Sequence, residues 1–221
     1  MNLITRIGRP LSLLFGITIL VDLAAAAADA SLVLFVHLVQ AGVDTSDATA
    51  VALDTFQSIT AISQLIVLIP TAVLFLIWFY RSHKNLEVAG VAGLKYSSAS
   101  AVWSFFVPLL NLFRPQQIMK EVEAGTWRLT EESPSSPPSE TTSKTIGLWW
   151  GLFVTSGLAS RAASQLVSGS AVSQILFGEY LFLASDLASA GAAYFALRLV
   201  GSITRAQARA VAGVQGGPTA A

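Results

Sequence analysis

Residues 96–125 read YSSASAVWSFFVPLLNLFRPQQIMKEVEAG, and the architecture of the chain turns on whether this stretch crosses a membrane. Its first part, residues 97–113, is an apolar run of 17 residues, at the short limit for a bilayer span of about 20. Pro108 lies inside the run, where it removes a helix hydrogen bond and kinks the chain. Asn111 adds a side-chain amide, and polar groups at membrane depth persist only when buried in protein or lining a wet cavity. A re-entrant or interfacial element is therefore predicted in place of a clean crossing. Arg114 ends the run, and Pro115 suits a first helical turn. Ile118, Met119 and Val122 then repeat at helical spacing opposite Lys120, Glu121 and Glu123. This predicts a short amphipathic helix on the membrane surface, terminated at Gly125.

The rest of the chain reads as membrane-spanning helix. Of its 221 residues 53% are hydrophobic and 12% charged, against about a quarter charged in soluble domains, so an integral membrane protein is expected. Zero net charge without a basic or acidic block argues against nucleic-acid binding. The absence of cysteine excludes disulfides, a thiol nucleophile and a cysteine metal site. Four spans are predicted, at about residues 11–38, 55–80, 146–168 and 174–200, within a single helical domain over 1–205. The re-entrant and amphipathic element occupies 97–125. Residues 129–144, rich in Pro, Ser, Thr and Glu, are expected to form a disordered cytoplasmic loop, and 206–221 a flexible tail. A cleaved secretory signal is the rival account of the N-terminus, but its apolar core is normally about 7–15 residues. An uncleaved first span is expected.

Trp78, Phe79 and Tyr80 stand before Arg81, His83 and Lys84, which reads as an aromatic belt with positive anchors at the cytoplasmic end of the second span. If the Pro108 segment does not cross, twelve of the thirteen Lys and Arg residues fall on the cytoplasmic side, Arg161 being the exception. Both termini are therefore predicted to be cytoplasmic.

The run from Phe105 through Pro108, Asn111, Arg114 and Pro115 to Glu121, with Trp149 and Trp150 downstream and Trp78, Phe79, Tyr80, Asn85 and Leu86 upstream, resembles the bacterial membrane-protein family named domain of unknown function 4328. The resemblance covers roughly residues 55–200. It implies a multi-pass protein of the bacterial plasma membrane. The family has no established activity, so it lends no catalytic residue.

Within the predicted spans the polar residues are few: Asp22 and Asp29 on the first, Gln57 and Gln64 on the second, Arg161 on the fourth, Glu179 and Asp186 on the last. Each like pair is seven residues apart and so shares one helix face. Ionisable groups in a bilayer are costly and are functional candidates by default. The plainer alternative is a packing device in which Arg161 neutralises one carboxylate, Asp186 first and Asp29 second, and the remaining acids are protonated or reach water. His37 and His83 belong on opposite sides of the membrane and cannot share a metal; His37 alone could ligate haem, although a histidine at the interface is the commoner case. Gly147-x-x-x-Gly151 and the stripe Ala184, Ala188, Ala192 permit close helix packing. No hydrolase, metalloprotease or phosphate-loop motif is present, and no cofactor, metal ligand or catalytic residue is expected.

Two functions follow. The first is a non-enzymatic accessory or scaffold protein, acting through the cytoplasmic amphipathic element on a membrane-protein partner or a second copy of itself. The second is a small transporter or channel in which Pro108 and Asn111 form a broken element beside a pathway lined by Asp22, Asp29, Glu179 and Asp186. The sequence favours the first, because four spans without an obvious inverted repeat leave little room for alternating access.

Overall fold

The computed structural model describes residues 3–130, 140–169 and 171–215. Among these residues there are seven helices and no strand: α1 (Leu3–Gln40), α2 (Asp47–Val88), α3 (Ser98–Trp103), α4 (Pro108–Asn111), α5 (Arg114–Thr130), α6 (Glu140–Leu166) and α7 (Val172–Gln215). α1, α2 and α7 are long and apolar enough to cross a membrane, and the chain is an all-α membrane protein. The core of the expected disordered loop, residues 131–139, and the end of the expected tail, 216–221, lie outside the described residues. Residues 206–215 continue α7 as helix and are not a flexible tail.

Packing divides the chain into two compact units: the first comprises Met1–Leu14, Pro70–Leu148 and Phe195–Ala221, the second Phe15–Ile69 and Trp149–Tyr194. The second unit is inside out by the standards of a water-soluble protein. Leu20, Ile62, Leu65, Ile66, Leu158 and Phe177 are exposed, while Asp22, Asp29, Thr60, Ser156, Glu179 and Ser185 are buried with Ala25, Ala26 and Ala28. Lipid is as apolar as leucine, so large side chains gain nothing by leaving it, and small residues let helices approach. α7 meets α6 this way: a Cβ on Gly178 would lie 3.2 Å from the Ala163 carbonyl oxygen, and the Ser185 hydroxyl donates to the Ser156 carbonyl at 3.0 Å. The close approach thus falls at Gly178, whereas a Cβ on Gly151 would meet nothing within 4 Å. The loop before α2 is shorter than the polar stretch suggested, because Ser46 caps the helix by accepting from the Thr49 amide at 3.2 Å.

The first unit has a dense apolar core of Ile4, Leu11, Trp78, Phe79, Leu86, Ile118, Met119, Val122, Ile146, Leu199 and Val200. Trp78 and Phe79 are fully buried and do not form the expected interfacial belt. Phe75 and Phe79 stack, with Phe105 edge-on to both, and the Trp78 indole donates to Thr204 at 3.0 Å. A buried Trp needs such an acceptor.

The organising stretch departs from expectation in three ways. Pro108 does not kink a helix. It opens α4 after Val107 in extended conformation, and α3 and α4, of 6 and 4 residues, are too short to span a bilayer. Pro115 does stand in the first turn of α5, but Gly125 does not end that helix. It lies inside it, where an added Cβ would sit 2.5 Å from Leu86 Cδ1, so the glycine admits Leu86 against the α5 backbone. Finally, Ile118, Met119 and Val122 are buried within the unit, so the apolar side of α5 faces protein and not lipid.

Candidate functional site

Seven residues along a helix return the side chain to nearly the same face, about 10 Å further on. The second unit uses this spacing on three helices at once. The Gln57 amide nitrogen donates to Asp29 Oδ1 at 3.2 Å and to Glu179 Oε2 at 3.0 Å. One heptad on, the Gln64 amide nitrogen donates to Asp22 Oδ1 at 3.1 Å and to Asp186 Oδ1 at 3.0 Å. Two tiers result, each an α2 amide clamped between an α1 carboxyl and an α7 carboxyl. Along α1 the partners run backwards as α2 runs forwards, so those helices are antiparallel. Along α7 the offset from α2 is 122 residues in both tiers, so α2 and α7 are parallel. The same offset joins Asn85 to Gln207, at 2.8 Å, in the first unit.

Each glutamine spends both amide hydrogens on carboxyl oxygens, which in a lipid-facing bundle have no water to turn to. The supply is still short. Asp22 and Asp29 are 4% and 6% exposed, and the Oδ2 atom of each has no hydrogen-bond partner. Asp29 also lies beside Asp186, joining the tiers, and Ser189 lies alongside Asp22. No cation neutralises the cluster among the described residues. Arg161, expected to pair with Asp186 or Asp29, is exposed on α6 and forms no ion pair there. Its long charged head lies outward, while Asp186 takes Gln64 instead. Nor do three acidic or histidine side chains, among the described residues, come close enough to cage a metal ion. His37 sits in the last turn of α1 and its Nε2 is 2.9 Å from the Tyr180 hydroxyl.

The first unit holds a second polar centre, which fastens the organising stretch. His83 is fully buried; its Nε2 lies 3.0 Å from Glu121 Oε1 and its Nδ1 3.4 Å from Glu87 Oε1. Glu121 accepts the amides of Lys95 and Tyr96 at 2.6 and 3.2 Å. Glu87 accepts the Ser98 amide at 2.7 Å and the Lys84 ammonium at 2.9 Å. Gly90 and Gly93, at φ 70° and 78°, turn the intervening chain where other residues would be strained. Arg114 lies over the Tyr96 ring at 5.1 Å. Asn111 is half-buried with its carbonyl oxygen unpartnered, as is Arg114 Nε. Pro108, Asn111, Arg114 and Pro115 belong to the first unit, and the four carboxyls to the second.

The seven-residue spacing placed Asp22, Asp29, Glu179 and Asp186 on common faces, and the structure brings all four together. The glutamines' bridging role was missed, although their heptad spacing matching the acids was the signal. Glu87 and Glu121 were missed as latches; Glu87, four residues after His83 and so on the same face, was a faint sign.

A family model described as Domain of unknown function (DUF4328) matches residues 41–205. No curated protein and no solved structure matches the chain.

Proposed function

Since the chain belongs to the DUF4328 family, whose description assigns no activity, we propose its function from its own side chains: a small, non-enzymatic membrane transporter or channel that takes a cation on its intramembrane carboxyls. The observation that carries this is the pair of tiers, four buried or half-buried carboxyl groups held by two amides and, among the described residues, in no ion pair with a positive side chain. Ionised carboxylates without counter-charge are too costly in a low-dielectric interior, so this arrangement calls for a bound cation or protons. The scaffold reading that the sequence favoured loses ground, because the apolar side of α5 is occupied within its own unit. The purified protein in proteoliposomes should pass H⁺, Na⁺ or K⁺ down a gradient faster than protein-free vesicles, and Asp22→Asn/Asp186→Asn should abolish the excess. Absence of flux for all three ions would refute the transport function.

We also propose four crossings, by α1, α2, α6 and α7, in the bacterial plasma membrane, with both termini cytoplasmic. Parallel α2 and α7 require the chain to return between them, and α6, of 27 residues, is long enough at about 1.5 Å per residue. The count of twelve positive residues in thirteen supports the orientation. Residues 97–113 dip into the same leaflet: Trp103, Phe106, Leu109, Leu112 and Phe113 are exposed, an apolar surface suited to lipid. Ser136→Cys and Gly216→Cys should both resist an impermeant thiol reagent in intact cells; labelling of Ser136→Cys from outside would overturn this topology.

A further inference from the structure

We propose that a shallow groove between α2 and α3 holds one phospholipid with an anionic headgroup, its phosphate on Arg81 and an acyl chain along Leu76, Ile77 and Val102. The groove measures about 250 Å³ and is lined by these four residues and Tyr80, all of the first unit. It is separate from the carboxyls of the second unit and does not depend on the transport reading. Leu76 and Tyr80 stand four residues apart on α2, as do Ile77 and Arg81, so each pair stacks on one face; Val102 supplies the wall from α3. Aliphatic side chains thus occupy one end and the guanidinium the other, about 6 Å further along the helix. The sequence sets the depth. Residues 55–80 carry no charge and Arg81 is the first to follow, so the guanidinium meets the membrane at the level of the lipid phosphates.

The charge at that end is uncompensated. Arg81 is exposed and enters no ion pair among the described residues; its guanidinium carbon stands 5.9 Å from the centre of the Tyr80 ring, a cation–π distance that keeps it beside the groove. The next cation along α2, Lys84, is spent on Glu87 at 2.9 Å. No acidic residue lines the groove and none occurs in α3. Arginine's planar fork matches a phosphate with two parallel hydrogen bonds. Nothing else in the lining suits a polar or peptide partner: the α2 wall bonds its own backbone groups, and the Tyr80 hydroxyl is the one other polar side-chain group there. A ligand that fits must be anionic at one end and hydrocarbon beyond it. Pockets that enclose a compact ligand measure about 300–1,000 Å³; this one is smaller and open along one side, room for a length of chain that stays in contact with the bilayer. The exposed Trp103 and Phe106 continue the apolar surface beyond Val102, so a lipid reaches the groove without crossing water.

The purified full-length protein in a neutral detergent, titrated with phosphatidylglycerol or with phosphatidylcholine of the same acyl chains and read by native mass spectrometry, should bind phosphatidylglycerol about fivefold more tightly, the scale of one arginine's attraction to an anionic lipid. Arg81→Gln should erase that preference, and Val102→Trp, which fills the groove, should weaken binding of both lipids. Lys120→Gln, which removes an exposed cation outside the groove, should leave both affinities unchanged. A phosphatidylglycerol carrying a photoreactive diazirine on its chain should label residues 76–81 and 98–103 of the unmodified protein, a readout that no variant's folding can disturb. Equal affinity for the two lipids, a preference that survives in Arg81→Gln, an equal loss in Lys120→Gln, or labelling confined to other segments would each overturn the lipid site. So would displacement of the lipid by soluble glycerol phosphate, which lacks the chain.

Discussion

Glu121→Ala should unfasten the organising stretch and cost about 1–3 kcal/mol in detergent, the range for leaving a buried hydrogen-bonding group without its partner. One carboxylate holds three groups, the buried His83 ring and the amides of Lys95 and Tyr96. Hydrogen bonds to charged groups contribute about 1.5–3 kcal/mol each, and the Lys95 and Tyr96 amides recover part of that from water because they lie near the surface. His83 cannot, since it is 0% exposed. Glu121→Gln keeps an acceptor of the same size and should lose less than half as much. The measurement is a denaturation series in a single detergent, and a loss below about 1 kcal/mol for Glu121→Ala would mean that the contacts do not hold the segment. Protease sensitivity should rise first around residues 89–97, which Glu87 and Glu121 anchor.

The second large effect is expected in the membrane interior. Gln64→Leu keeps roughly the volume of the side chain but removes both donors from the Gln64 tier, stranding Asp22 and Asp186. Hydrogen bonds between membrane helices average only about 0.6 kcal/mol, but here the groups left behind are carboxyls, one of them 4% exposed, and the loss should reach about 2 kcal/mol. The sign of the cure is the sharper test. A network replaced as a whole by apolar groups is often neutral or stabilising where a half-removed one is not. Gln64→Leu/Asp22→Leu/Asp186→Leu should therefore be more stable than Gln64→Leu alone. If the triple variant is the weaker protein, the Gln64 tier stabilises the bundle directly and the cost of stranded carboxyls is not what retains the glutamine.

Composition and periodicity alone determined that the protein is helical and belongs in a membrane, since a chain with so few charges and such long apolar runs can satisfy its backbone in lipid only within helices. They also determined that Asp22 and Asp29, Gln57 and Gln64, and Glu179 and Asp186 each share a face, because that follows from 3.6 residues per turn without reference to any neighbour. What lies opposite a face depends on the register and direction of another helix, and only the tertiary structure decided it. Opposite charge made Arg161 the obvious partner for Asp186, yet α2 runs parallel to α7 at an offset that delivers Gln64 there, and Arg161 lies outward. The same limit governs the apolar residues. The stripe of Ile118, Met119 and Val122 reads as one that lipid could cover, as does the Trp78-Phe79 pair, but each finds the other elements of its own unit instead, because a hydrophobic stripe specifies only that water is excluded and not whether protein or lipid excludes it.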